Sequence, residues 1–175
     1  KMLHGGMADG EIVEEIWKHN LYQYNGRKKL RERTRAILRR LDTISPELLE
    51  IVANWPLDLA RITTLYAVAK SNKLVADFMF RVYLPNARMA EGAIERSDAE
   101  EFFRILIEQE PTVAGWSEST IAKLRQVMVR MLAEAGLIIS TRNPRIVRPI
   151  IPASYRAALD TVGDGFYAEM LVGGM

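Results

Sequence analysis

The chain has 175 residues, 49% of them hydrophobic, and a formal net charge of +2. That is enough for one domain with a real core, residues 1–175, and the overall charge is too balanced for a uniformly basic protein. The absence of cysteine excludes disulfide scaffolds, thiolate metal sites and cysteine nucleophiles, and it suits a cytoplasmic setting.

The chain begins at Lys1 rather than Met, so a natural N-terminal segment is expected to be missing. No apolar run approaches the roughly 20 residues that span a bilayer, and no signal peptide is visible. From Ala8 to about Lys18, Ile12, Ile16 and Trp17 give a short apolar stripe. A longer helix follows over Gly26–Leu41, where Leu30, Thr34, Ile37, Leu38 and Leu41 fall within one arc of about 100°. Ser45-Pro46 is a start signal for a helix burying Leu48, Leu49 and Val52. Another starts at Pro56, with Leu59, Ile62, Leu65, Tyr66 and Ala69 on its stripe, and breaks at Ser71-Asn72.

Lys73–Leu84 predicts a strongly apolar helix ended by Pro85, and 85–95 reads as an irregular segment. Ser97 and Glu100 have capping-box spacing ahead of a helix burying Phe102, Phe103, Leu106 and Ile107, which ends near Pro111. The longest pattern runs from Ser117 or Ser119 through Ile121, Leu124, Met128, Met131, Leu132 and Ala135 to Gly136, a left-handed stop. Leu137–Ile139 and Arg145–Arg148 predict a small hairpin, its second strand limited to an edge by Pro149 and Pro152. A short helix is expected over Ala153–Leu159, and the glycine-rich tail (Gly163, Gly165, Gly173, Gly174) is expected to fray.

Charge is distributed unevenly. Between Gly26 and Leu41 stand Arg27, Lys28, Lys29, Arg31, Arg33, Arg35, Arg39 and Arg40, opposed by Glu32 alone. On a helical wheel Lys28, Arg31, Arg35 and Arg39 form one row and Lys29, Arg33 and Arg40 another, with the apolar stripe between them. A solvated helix face normally mixes signs at i,i+4 spacing. Here Arg31–Arg35 and Arg35–Arg39 repel, which helix stability alone would not select. An anionic polymer would offset that repulsion through bidentate arginine–phosphate contacts. Three other readings stay open: an acidic protein partner, no role, or cover by the chain's own acidic segment, 91–118.

A second basic block, Ser119–Leu159, contains Lys123, Arg125, Arg130, Arg142, Arg145, Arg148 and Arg156, against Glu134 alone. A helix followed by a hairpin carrying arginines fits a winged helix-turn-helix. It fits a hairpin that merely covers the core equally well.

Catalytic and cofactor motifs are missing: no nucleophile elbow, phosphate-binding glycine loop or dinucleotide fingerprint occurs. Glu15 and His19 have ligand-capable spacing without a third ligand, so a surface pair is expected and no metal or cofactor is assigned. Trp17, Trp55 and Trp116 read as wedges between helices.

Three stretches in order, "RAILRRLDTISPELLEIVA" (Arg35–Ala53), "LYAVAKSNKLVADFMFRVYL" (Leu65–Leu84) and "WSESTIAKLRQVMVRMLAEAGLI" (Trp116–Ile138), resemble the BrxA family of BREX bacteriophage-exclusion systems. The resemblance covers most of residues 20–152. It implies a helical fold similar to the antitermination factor NusB, and double-stranded DNA binding without enzymatic activity. It assigns no contact residues.

The combined expectation is a mainly α, compact multi-helix orthogonal bundle with a small C-terminal β-hairpin. It is a non-enzyme without cofactor or membrane association. Its expected partners are double-stranded DNA, with RNA left open, and other phage-defence proteins. The expected contacts are Lys28, Arg31, Arg35 and Arg39, then Lys29, Arg33 and Arg40. Lys123, Arg125, Arg142, Arg145 and Arg148 form a secondary set. The rival is an adaptor whose basic helix docks an acidic protein.

Overall fold

The computed structural model describes residues 1–172. They gather into two compact units, Lys1–Ser71 and the part from Asn72 onward. Both are mainly α-helical, and no strand longer than an isolated bridge occurs among the described residues.

The first unit contains α1 (Asp9–Lys18), α2 (Arg27–Leu41), α3 (Pro46–Asn54) and α4 (Leu57–Ser71). The Ser45 hydroxyl caps α3 by accepting from the Leu48 N–H at 3.4 Å, with Pro46 in the first turn where its missing N–H costs nothing. α2 packs on α1 and α4, and α3 packs on α4. Ile12, Val13 and Ile16 of α1 meet Leu30 and Leu38 of α2, with Met2, Leu3, Met7, Trp17 and Tyr24 around them.

The buried stripe of α2 is narrower than the periodicity suggests. Leu30, Thr34 and Leu38 are buried, but Leu41 is half-buried and Ile37 remains 39% exposed. Contact is confined to one i, i+4, i+8 row, and Ile37 falls on its shoulder. In α3 the buried residues are Leu48, Ile51 and Ala53, while Leu49 and Val52 are half-buried.

In the second unit the apolar segment expected to stop at Pro85 runs through it. α5 (Lys73–Phe78) continues into a π-helical turn, Met79–Tyr83, and then α6 (Leu84–Ala87) with Pro85 in its first turn. The Leu84 N–H bonds the Met79 carbonyl five residues back. This wider turn carries the chain past a residue that cannot donate, so the proline does not end the helix. Phe78, Met79, Val82, Tyr83 and Leu84 are buried, and the turn packs on α7 (Arg96–Gln109). The cap of α7 is Glu95 rather than Ser97. The Asp98 carboxylate accepts from the Glu95 N–H at 2.8 Å, which shifts the box two residues earlier. Ile107 of α7 is exposed, unlike Phe102, Phe103 and Leu106.

A short α8 (Pro111–Ala114) leads to α9 (Glu118–Glu134), capped by Ser117. α9 stops at Gly136, whose φ of +77° lies in the left-handed region. The expected hairpin forms as bridges, with Arg145–Val147 as the inner limb rather than an edge. Val147 N–H donates to Leu137 O on one side, and Ile146 N–H to Gly92 O on the other. Pro149 and Pro152 lie beyond the paired residues, so their missing N–H groups interrupt nothing. Gly92 is required there, because a Cβ would lie 1.8 Å from the Asn86 carbonyl oxygen.

The tail is ordered where fraying was expected. α10 (Ala153–Thr161) is followed by α11 (Gly165–Val172), which buries Tyr167, Ala168, Met170 and Leu171, and the Tyr83 hydroxyl donates to the Leu171 carbonyl at 3.2 Å. Apolar burial outweighs the glycine content of this segment. Gly173 and Gly174 lie outside the described residues.

Candidate nucleic-acid interface

α2 is built against its own electrostatics. Its cap, Gly26, offers no side-chain acceptor, and its first turn carries Arg27, Lys28 and Lys29 with no acidic residue. Cations at a helix N-terminus oppose the macrodipole. What holds the helix is its belly, Leu30 at 0% and Leu38 at 3% exposure. The apolar row fixes which side faces inward, and the charged residues are thereby turned outward.

All eight basic residues of α2 are exposed. Arg27 is neutralised: its guanidinium donates to both oxygens of Glu14 on α1 at 2.5 Å. That contact holds the Glu14 carboxyl below the ordinary carboxylate range, with help from the field of Arg31. Arg33 lies over the Tyr24 ring, 5.3 Å from its centroid, a cation–π contact that orients the guanidinium but leaves its charge available. Lys28, Lys29, Arg31, Arg33, Arg35, Arg39 and Arg40 make no ion pair among the described residues. Arg27, Lys28, Arg31, Glu32 and Arg35 border a shallow depression of about 370 Å³.

The secondary set is divided. Arg125 is held by Glu100 at 2.9 Å, and Arg145 by Glu91 at 3.4 Å. Arg148 donates to the Ala87 carbonyl at 2.9 Å and to that of Met89, closing the C-terminal end of α6. These three make internal contacts, Arg125 through one terminal nitrogen only. Lys123 and Arg142 are exposed and carry no ion pair among the described residues. Leu137 and Ile138 are buried, so that limb of the hairpin covers core.

The acidic segment spends its carboxylates within its own unit. Glu100 pairs with Arg96 and Arg125, Glu101 and Glu108 with Arg104, Glu110 with Lys73, and Glu91 with Arg145. The His19–Glu15 pair is present at 2.9 Å, exposed on both sides. No group of three potential metal ligands occurs among the described residues, and no helix there is long and apolar enough to cross a membrane. Sequence reasoning missed Arg96. Its i,i+4 spacing to Glu100 was visible, but the convergence with Arg125 was not, because it is made by tertiary contact.

A family model described as BrxA matches residues 1–163. A BREX protein BrxA of Bacillus cereus (strain H3081.97) is 28% identical over 173 residues, spanning 98% of this chain and 86% of that protein. One from Paramagnetospirillum magneticum (strain ATCC 700264 / AMB-1) is 24% identical over 151 residues, 83% of this chain and 75% of the relative. The crystal structure of an uncharacterized protein from Magnetospirillum magneticum aligns with a TM-score of 0.77 at 22% identity, over 99% of this chain and 88% of that one. That likeness concerns the fold alone.

Proposed function

Because the chain belongs to the BrxA family, we propose that it is a non-enzymatic, cytoplasmic component of a BREX phage-defence system that binds double-stranded DNA through α2. The observation that carries this reading is the row of exposed, unpaired cations Lys28, Arg31, Arg35 and Arg39. They span about 16 Å at 1.5 Å per residue. A duplex carries one phosphate charge per about 1.7 Å of axis, so several phosphates lie within reach of that row. Contacts of this kind position a protein on the backbone without reading bases, so the affinity expected is independent of sequence. The nucleic acid would also neutralise the Arg31–Arg35 and Arg35–Arg39 repulsion that the free helix carries. Other BREX proteins are the further partners.

A salt titration of duplex binding tests the reading. Each neutralised phosphate contributes about −0.9 to the slope of log affinity against log salt, so four contacts give a slope of about −3 to −5. A slope near zero would overturn it.

One observation favours an acidic protein partner instead: Leu21, Tyr22 and Ile37 are exposed and border an apolar cleft of about 240 Å³ beside α2. A partner docked there would need these side chains. Leu21→Ser with Ile37→Ser leaves duplex affinity unchanged under the first reading and abolishes partner capture under the second.

A further inference from the structure

A second concave site lies wholly within the unit that begins at Asn72. The first turn of α7, the middle of α9 and the turn at 141–144 line an open cavity of about 730 Å³, within the range of roughly 300–1,000 Å³ typical of small-molecule sites. Four guanidinium-bearing residues line it: Arg96 of α7, Arg125 and Arg130 of α9, and Arg142 of the turn. Glu95 is the one carboxylate among the lining residues.

Two of the four arginines are fixed by a single oxygen. Glu100 Oε1 accepts from Arg96 Nε at 2.7 Å and lies 2.9 Å from an Arg125 terminal nitrogen. Arg125 is only 25% exposed. A guanidinium has five N–H donors, so each keeps most of its donors for a ligand. Arg125, held and mostly covered, loses less freedom on binding, whereas Arg96 is 87% exposed and is steadied only at its Nε. Arg130 and Arg142 are exposed and have no ion pair among the described residues. The cavity therefore keeps an excess of positive charge after Glu95 and Glu100 are counted.

The rest of the wall is different in kind. Ala99, Ala122, Val129 and Pro144 are small or flat and apolar, and Gln126 adds an amide able both to donate and to accept. A cavity lined by both guanidinium groups and small or flat apolar side chains suits a ligand that combines an anionic group with a planar, apolar-faced one. We propose that this cavity binds a nucleoside 5′-phosphate, with the phosphate on Arg130 and Arg142, supported by Arg96 and Arg125, and the base against Ala122, Val129 and Pro144. That chemistry has two sources, a free mononucleotide or the phosphorylated 5′ end of a DNA strand. Cations on a convex helix such as α2 meet a continuous backbone. Cations lining a concavity are placed to meet one discrete group.

The test is calorimetric titration of the full chain with AMP, adenosine and orthophosphate. AMP is expected to saturate one site and to bind at least tenfold more tightly than either fragment. Arg130→Ala with Arg142→Ala is expected to weaken AMP at least tenfold. Both side chains are exposed, so folding should be unaffected; Arg142→Lys, which keeps the charge but loses the planar fork, provides a milder second variant and should weaken AMP several-fold. Glu100→Gln loosens Arg96 and Arg125 and should weaken AMP less than the double variant. Short duplexes with 5′-phosphate or 5′-hydroxyl ends then separate the sources. A preference for the phosphate that the double variant loses assigns strand ends. Equal duplex binding with AMP affinity retained assigns the free nucleotide. Absence of AMP saturation, or AMP binding unchanged in both arginine variants, overturns the proposal. Reversing Lys28, Arg35 and Arg39 should leave AMP binding intact, so a failure of α2 as a duplex site is read separately.

Discussion

α2 and α7 are both exposed, arginine-bearing helices, and they use charge in opposite ways. In α7, Arg104 is clasped by Glu101 at 2.6 Å and by Glu108 at 2.6 Å, and Arg96 by Glu100 at 2.7 Å. These are i,i+3 and i,i+4 pairs of the kind that steadies a helix, and solvent screening keeps each contribution small. In α2 the same spacings hold like charges, Arg31–Arg35 and Arg35–Arg39, and its lone internal carboxylate, Glu32, makes no ion pair among the described residues. One helix satisfies itself. The other leaves its charge open to whatever meets it, and its buried row bears the cost of that arrangement. The contrast teaches that the number of arginines in a segment says little until the carboxylates within one turn are counted with them.

The largest expected effect breaks the contrast by reversing α2. Lys28→Glu, Arg35→Glu and Arg39→Glu together should lower duplex affinity at least a hundredfold at moderate salt. The slope of log affinity against log salt should become shallower by about 0.9 for each phosphate that α2 no longer neutralises. Reversal at Arg104 of α7, which lies outside both proposed sites, should leave both quantities nearly unchanged. Fluorescence anisotropy at four or five salt concentrations measures affinity and slope together. Equal losses from the two helices would mean that net charge alone, and not its arrangement, governs binding.

Most of the helices were legible because their signals are local. Ser45-Pro46, Ser117 and Gly136 act within a few residues, and each sits at the helix boundary it announces. The exposure of α2's cations was also legible, because an apolar row on one side leaves the others nowhere else to go. What escaped was made at a distance. Pro85 announces a stop, yet a π-helical turn packed on α7 carries the chain past it. Pro149 and Pro152 suggest an edge, yet 92–94 supplies an outer neighbour some fifty residues earlier in the chain. The arginines of the second block read like those of α2. Arg125, Arg145 and Arg148 nonetheless find acceptors on residues 25 to 61 positions away, and no spacing rule reaches that far.

A smaller effect separates the belly of α2 from its back. The Thr34 hydroxyl is buried and has no hydrogen-bond partner among the described residues. A stranded buried polar group costs about 1–3 kcal/mol, and an apolar group of the same shape removes that cost. Thr34→Val should therefore stabilise the protein by about 1 kcal/mol, read as a rise of a few degrees in thermal midpoint. Duplex affinity should not change, since position 34 faces inward. Smaller still is the expected gain in stability from Arg35→Glu alone. The new carboxylate lies one turn from Arg31 and one from Arg39, which gives α2 the pairing that α7 already has. Stability should rise by about 0.3–0.5 kcal/mol per pair formed, while duplex affinity falls several-fold. A variant that gains both stability and affinity would sink the claim that α2 forgoes pairing for its partner.

The smallest effect is in acid, and it distinguishes the two helices by sign of charge. Arg96 and Arg125 hold Glu100 below the ordinary carboxylate range, and Arg104 does the same for Glu101. A carboxyl lowered in the folded state contributes stability that is fully present above its unfolded value, near pH 4.3, and lost as pH falls through the folded value. Glu101 is exposed and Glu100 half-buried at the surface, so solvent screens the pairs and the contribution is small. As pH falls from about 5 through these lowered values, α7 should lose its internal pairs, whereas the arginines of α2 stay charged and, among the described residues, have no paired carboxylate to lose apart from the Arg27–Glu14 contact at the first residue. Hydrogen exchange, corrected for intrinsic rates at each pH, should show protection falling in α7 before it falls in α2 beyond the first turn. Arg104→Gln should flatten the α7 response, because the carboxylates it leaves behind no longer favour the charged form. Parallel loss in both helices would show that the pairs of α7 add nothing to its stability, and the contrast with α2 would then rest on exposure alone.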